Sequence, residues 1–304
     1  MKNNRGTVLI YVLIVISFSV AIAFLINENS TNNYEATYNL YFHNQAYIYA
    51  NSGLDIIKNF FEIDDDAYDS PLDLWANIPP VNVEKGVINF NITPVNAKIN
   101  INLLGEEGDT RTNIRIIDAV EAILEDENIN SITPGIIKDW IDKDNEPADD
   151  GREEYTYDRN GFIYKIKNKP LDTIMELAFI DNYESYNKLK NYFTILDEDK
   201  KLNINFCSDK VLKAYLPELN SYVQDLIDYR RNNEYKDISD IRKASYISDD
   251  EYVEAVNFLS VKSNSYYIKI IVKLVDSKYT YHILYNRKDK KVEKFIQGLE
   301  NEHF

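Results

Sequence analysis

One cysteine, three histidines and nine glycines in 304 residues leave little room for several kinds of chemistry. Cys207 alone forms no intramolecular disulfide and no multi-cysteine zinc site, so packing, or a hard cation held by oxygens, has to stabilise the fold. His43, His282 and His303 lie far apart in sequence. No His-Glu-x-x-His, Gly-x-Ser-x-Gly or phosphate-cradling glycine loop occurs, so the common hydrolase and nucleotide-binding motifs are missing. Positive charge is scarce too. The 34 Lys+Arg face 50 Asp+Glu, a formal net charge of −16, which argues against a chain that coats nucleic acid by neutralising phosphates. No proline precedes Pro71, so nothing of that kind interrupts a helix before it. Ring surface, by contrast, is plentiful: 24 tyrosines and 13% aromatic residues exclude a disordered acidic tail. The length suits two modest domains plus an appendage.

The appendage is N-terminal. Lys2 and Arg5 precede Gly6, and residues 7–26 carry no charge. About 20 apolar residues at 1.5 Å each span a bilayer core of about 30 Å as a helix. The basic flank places Met1 in the cytoplasm and the chain beyond Asn27 outside. An ordinary secretory signal has a similar charge and apolar pattern, but no small-x-small cleavage site comes after the run. Helical patterning also continues through Ala36, Leu40, Ala46, Ala50, Leu54, Ile57 and Phe60. One helix is therefore expected over 7–61, half in lipid (7–26) and half out.

A short basic leader ending in glycine, followed by such a helix, resembles the type IV pilin and pseudopilin family. That resemblance implies a leader over 1–6, cleavage by the prepilin peptidase between Gly6 and Thr7, and methylation of the new N-terminus. Most members of the family carry a glutamate at the fifth position of the processed chain, where this sequence has Tyr11. The glutamate neutralises a neighbouring subunit's terminal amine inside the membrane, where an unpaired charge is costly. A subunit without it suits a filament tip, and its absence is the departure seen in the pseudopilin K family of type II secretion.

The soluble part contains a repeat. Lys98-Ile-Asn-Ile-Asn-Leu-Leu104 is matched by Lys201-Leu-Asn-Ile-Asn-Phe-Cys207, each read as a short strand with its asparagines on one face. Helical runs come after both. Asp172-Thr-Ile-Met-Glu parallels Asp237-Ile-Ser-Asp-Ile, and a closing helix leads each copy back into a strand. The first copy alone carries an extra loop, roughly 142–169. It holds Asp142, Asp144, Glu146, Asp150, Glu153 and Glu154, oxygen donors without histidine or cysteine, which is the chemistry of a hard cation such as calcium. Five of them fall at EF-hand positions 1, 3, 5, 9 and 12, but Pro147 stands where that loop needs glycine. Two readings remain for the segment, a calcium loop of another type or a solvated acidic surface.

Asp139-Trp-Ile-Asp142, the acidic stretch ending at Tyr155, Asn168-Lys-Pro170, the Trp75-Ala76 pair and Tyr229-Arg230 strengthen the resemblance to the pseudopilin K family. It implies an α+β, pilin-like fold: a long N-terminal helix on an antiparallel sheet, with a large inserted helical domain. The α/β domain is placed at 62–104 and 201–304 and the insert at 105–200. Calcium ligands carried over from the family are Asp142, Asp144, Asp150, Glu153 and Glu154. Three alternating segments, 263–274, 278–286 and 290–297, read as a meander joined by 87–93. The basic turn at Arg287, Lys288, Lys290 and Lys291 reads as solvated.

The expected function is non-enzymatic. It is that of a minor pseudopilin at a pseudopilus tip, in the bacterial inner membrane with its C-terminal domain periplasmic, initiating filament assembly and supporting export of folded proteins. Implied partners are minor pseudopilins of the I and J types, the major pseudopilin and the prepilin peptidase, with no nucleic acid. The alternative is a helix-hairpin-helix-like DNA-handling protein or a type IV pilus or competence tip protein. The hairpins of such DNA-binding proteins need a Gly-x-Gly turn, which neither copy has.

Overall fold

A computed structural model describes residues 5–64, 67–106, 110–153, 165–196, 200–275 and 277–298. Helix α1, Arg5–Ile63, is continuous. From Val8 to Thr31 its side chains are exposed. A buried seam then runs through Phe42, Ala46, Ala50, Leu54, Ile57 and Phe61, mostly three or four positions apart, so one stripe faces the sheet. Gly53 belongs to that stripe: a Cβ there would sit 3.0 Å from Phe90, so small residues set how closely helix and sheet approach.

Nine strands occur among the described residues. Five form one antiparallel sheet in the order β1-β2-β7-β8-β9. These are β1 Val81–Val83, β2 Gly86–Pro94, β7 Ser265–Leu274, β8 Ser277–Asn286 and β9 Lys291–Gly298. The register pairs Ile88 with Val272, Ile92 with Ile268 and Ile270 with Tyr281, which puts one apolar face against α1. The expected meander and its fourth strand are thus the observed ones. Strand β1 was not foreseen, because three residues after Pro79-Pro80 are too few for alternation to show.

The repeat is real, in a different form from the one expected. Each copy opens and closes on a two-residue parallel pair: β3 Ile99–Asn100 with β4 Phe193–Thr194, and β5 Leu202–Asn203 with β6 Leu259–Ser260. The asparagines do not line a strand face; they fold the backbone. Asn100 accepts the N–H of Asn102, as Asn203 accepts that of Asn205. Asn102 Nδ2 donates to Leu171 O and Ile195 O, both at 3.1 Å, while its Oδ1 accepts Leu171 N–H. Asn205 repeats this with Tyr235 O at 2.9 Å and Tyr235 N–H. Two residues beyond each partner a capping box begins, Thr173 with Glu176 and Asp237 with Asp240. Thr173, not Asp172, is therefore the counterpart of Asp237.

Between these brackets lie α2 Thr110–Asp126, α3 Pro134–Ile141, α4 Leu177–Ile180 and α5 Tyr183–Leu189 in the first copy. The second holds α6 Asp209–Tyr215, α7 Val223–Arg230, α8 Ile241–Ala244 and α9 Asp249–Phe258. Both copies fill one apolar core that runs from Ile99 to Leu259. Residues 201–259, placed with the sheet from sequence, therefore pack with the helices. The near-repeat did not disclose that the copies face each other. Their contact is sealed by Arg115, which reaches Glu218 at 2.7 Å and Glu254 at 3.1 Å over the ring of Phe258.

A buried polar joint ties the helical body to the sheet. Ser263 O–H donates to Asn96 at 2.6 Å and accepts Asn203 Nδ2 at 2.9 Å. Asn205 Nδ2 also donates to Asp69 O at 2.8 Å. Asp69 takes Ser263 N–H, Tyr266 O–H and Arg287. Neighbouring Asp73 accepts Ser70 N–H and Trp75 Nε1–H. Burial, abetted by the charges of Asp64, Asp69 and Glu234, pushes the Asp73 carboxyl up to about 6 from 3.8. The folded chain thus holds that proton more tightly than the unfolded one. Stability linked to Asp73 falls as pH rises from about 4 to about 6 and is then flat. Asp73→Asn keeps an acceptor for both donors and removes this slope, so thermal melts between pH 4 and 8 should show the variant gaining on the parent as pH rises. A constant difference across that range would contradict the assignment.

Candidate metal centre and filament helix

The acidic loop is built outward from α3. Thr133 caps it by accepting Ile136 N–H, and Pro134 fills the first turn, where its missing N–H costs nothing. Asp142 ends the helix in extended conformation, its N–H on Lys138 O at 2.8 Å. The chain then returns through a tight turn. Gly151 N–H donates to Ala148 O at 2.9 Å, and Asp150 has a left-handed φ of 56°. Two glycines permit the close approach. A Cβ on Gly135 would lie 2.1 Å from Asp149 O, and one on Gly151 would lie 2.1 Å from Asp139 Oδ2. Fully buried Asp139 holds the turn by accepting Ala148 N–H at 2.8 Å. Its carboxyl is pushed up by burial, with the Ala148 amide pulling the other way.

This clamp carries Glu153 back beside Asp142. Carboxylate oxygens of Asp142, Asp144 and Glu153 lie within 4.8 Å of one another. That spacing is about twice a calcium–oxygen bond of roughly 2.4 Å. Asp142 and Glu153 are buried and Asp144 is exposed. Asp144 is oriented by accepting Glu146 N–H, while its backbone carbonyl accepts Asn168 Nδ2 at 2.9 Å. The donors are all oxygen with a combined charge of −3, two of them out of water, and such a set fits a hard cation. Three of the five expected ligands are therefore brought together. Asp150 is not: its side chain is exposed, outside the cluster, and its carbonyl accepts Thr133 Oγ1. Glu154 lies outside the described residues. Sequence reasoning missed the supporting role of Asp139 and Gly151. Its one available signal was an isolated glycine inside an acidic run.

A second carboxylate trio, Asp64, Asp69 and Asp73, converges as closely. Its cation is intrinsic. Arg287 Nη1 reaches Asp69 at 3.2 Å, while Nη2 reaches Asp64 at 3.1 Å and Phe61 O at 2.9 Å. The basic turn is thus not simply solvated. Its Arg287 is drawn inward, while Lys290 stays exposed with a loose contact to Glu62 at 3.3 Å. No pattern could announce a pair separated by 218 positions.

Helix α1 is the other functional element. Below the sheet it presents an apolar surface from Val8 to Ile26, then exposed Tyr34, Leu40 and Tyr41. This is the surface of a membrane anchor that continues into a helix with unpartnered faces.

Comparison with known proteins places these features. A family model for "Type II secretion system (T2SS), protein K" matches residues 97–198, the first helical copy with its acidic loop. Type II secretion system protein K of Pectobacterium carotovorum is 23% identical over 96% of this chain and 95% of its own length. The protein of that name from Klebsiella pneumoniae is 26% identical over 67% of this chain and 66% of its own. The fold matches a chain in the crystal structure of the GspK-GspI-GspJ complex of enterotoxigenic Escherichia coli. That match has a TM-score of 0.72 and 17% identity, covering 87% of this chain and 99% of that one. These similarities run to secretion proteins and do not favour the DNA-handling alternative.

Proposed function

We propose that this chain is a member of the protein K family of type II secretion systems, to which its similarities run, and that it caps a pseudopilus as a minor pseudopilin and primes its assembly. It acts by assembly rather than by catalysis. The observation that carries the reading is α1: one helix, apolar and exposed over its first half, sheet-bound over its last third. Partners are pseudopilins of the I and J types, by analogy with the complex whose chain shares this fold, and then the major pseudopilin. Residues 7–26 cross the inner membrane once, with the N-terminus cytoplasmic and the folded body periplasmic. The prepilin peptidase cuts between Gly6 and Thr7. The two-copy helical body is too bulky for another subunit to stack above it, which suits the end of a filament.

Deleting residues 1–26 is expected to leave a folded monomer that retains I- and J-type pseudopilins in a pull-down. A folded fragment that captured neither would remove the tip role.

The acidic loop holds calcium through Asp142, Asp144 and Glu153, with Glu154 as a further donor. Bound metal offsets the repulsion of carboxylates gathered in a poorly solvated place and ties the loop to α3. At calcium a hundredfold above Kd the fold gains about 2.7 kcal/mol. Chelation is therefore expected to lower the Tm by several degrees, and added calcium to restore it. Asp142→Asn should melt like the chelated parent and ignore calcium. Identical melts with chelator and with calcium, and no metal by mass spectrometry, would refute the site.

A further inference from the structure

A cavity of about 310 Å³ opens where the sheet meets the first helical copy, on the sheet face away from α1. Its apolar wall includes Phe193, Leu196 and Ile271; Thr93, Lys98 and Lys269 supply polar groups. That mixture, mostly apolar with a few convergent polar atoms, is the usual make-up of a ligand site.

Lys98 is its distinctive feature. The residue is half-buried, and its Nζ donates to Lys190 O at 2.7 Å, leaving two of its three N–H groups to be satisfied elsewhere. Among the described residues no carboxylate reaches it. The charge that bears on it is that of Lys190, whose own Nζ meets Asn187 Oδ1 and the ring of Tyr186. Burial first, and then that like charge, pull the Lys98 ammonium down to about 8. In a chain with a net charge of −16, two neighbouring lysines with no acid between them among the described residues stand out. Local positive charge beside an apolar cavity selects an anion with an apolar body.

We propose that this cavity binds a carboxylate carrying an apolar group, with Lys98 as the anchor and the Phe193–Ile271 wall receiving the apolar part. The carboxylate can come from an acidic side chain on a protein segment or from a free organic acid. Both present the same charge, and they differ in the group attached to it. Lys98 is then paired on binding, which offsets the cost of its burial.

The test is ligand-observed fluorine NMR on the full chain in detergent micelles, with three probes. These are 4-(4-fluorophenyl)butyrate, its carboxamide, and an N-acetylated, C-amidated tripeptide holding glutamate beside 4-fluorophenylalanine. Saturable broadening by the butyrate or the peptide, at least tenfold weaker for the carboxamide, is the expected result. Response to the peptide alone assigns the site to a protein segment, and response to both admits free acids. Lys98→Met should abolish the saturable signal, and Lys190→Met should leave it in place with altered affinity. Equal binding of acid and carboxamide, binding that survives Lys98→Met, or no saturable response to either acid overturns the proposal. The carboxamide comparison is made on the parent chain, so a folding defect in a variant cannot decide the outcome.

Discussion

Arg287→Ala is expected to destabilise the chain lacking residues 1–26 by about 3–5 kcal/mol, the loss typical of removing one partner from a buried ion pair. Asp69 is almost wholly buried and Asp64 partly buried, and both turn to this guanidinium. Without it Asp69 retains Ser263 N–H and Tyr266 O–H but no countercharge. Its carboxyl is already raised, because burial outweighs those bonds and the guanidinium together. The loss should therefore shrink as pH falls and Asp69 takes up a proton in the variant. Arg287→Lys should recover part of it, since it keeps the charge but loses the fork that reaches Asp69, Asp64 and Phe61 O at once. Lys290→Ala, in the same basic segment, breaks only an exposed pair and should change stability by no more than about 0.5 kcal/mol. Urea denaturation of the three variants checks all of this. A loss at Arg287 no larger than at Lys290 would mean that the joint does not depend on the pair.

Trp75→Ala should have an effect of similar size, about 3–5 kcal/mol, by a different route. Trp75 is fully buried in the 3-10 turn Leu74–Asn77. Its ring lies 5.3 Å from Phe61 of α1, 5.1 Å from Tyr266 of β7 and 5.6 Å from Phe206 of the second helical copy. One side chain thus touches the helix, the sheet and the helical body, and removing it opens a cavity where the three meet. Trp75→Phe should retain most of the packing while leaving Asp73 without its indole donor. Leu74→Ala, on the exposed side of the same turn, should be nearly neutral. Trp75 and Trp140 are the only tryptophans, so in a Trp140→Phe background the emission of Trp75 reports directly on this junction during unfolding. Equal losses at Leu74 and Trp75 would show that the turn contributes through its backbone alone.

How much of this could be read in advance depended on the range of the interaction. The seam of α1 was legible because its period repeats locally, and the β7–β8–β9 meander because each strand alternates and is bounded by a polar turn. The repeat was legible as a pentapeptide match. Its physical meaning was hidden, because Asn102 acts on carbonyls 69 or more positions away and Asn205 on carbonyls 30 or more away. In the acidic loop composition named the chemistry, but the ligand set implied by the family resemblance included Asp150. The chain turns at Ala148 to Gly151 and leaves the Asp150 side chain exposed, which a run of acids does not reveal. The pairing of Arg287 with Asp64 and Asp69 left no local trace at all.

The placement of the helical body between β2 and β7 also governs the order of events during synthesis. The buried seam of α1 is complete once Phe61 has been made, yet β7, which covers much of it, begins only at Ser265. Until then, among the described residues, β2 and the Trp75 turn are its main partners from the sheet unit. Joining β2 to β7 closes a loop that holds both helical copies, and a long closure of this kind slows folding unless the intervening chain is already compact. The two parallel β3–β4 and β5–β6 pairs shorten that loop from within, drawing the ends of each copy together. A subunit held in the membrane by its first helix would thus wait, half-covered, for its own last strands.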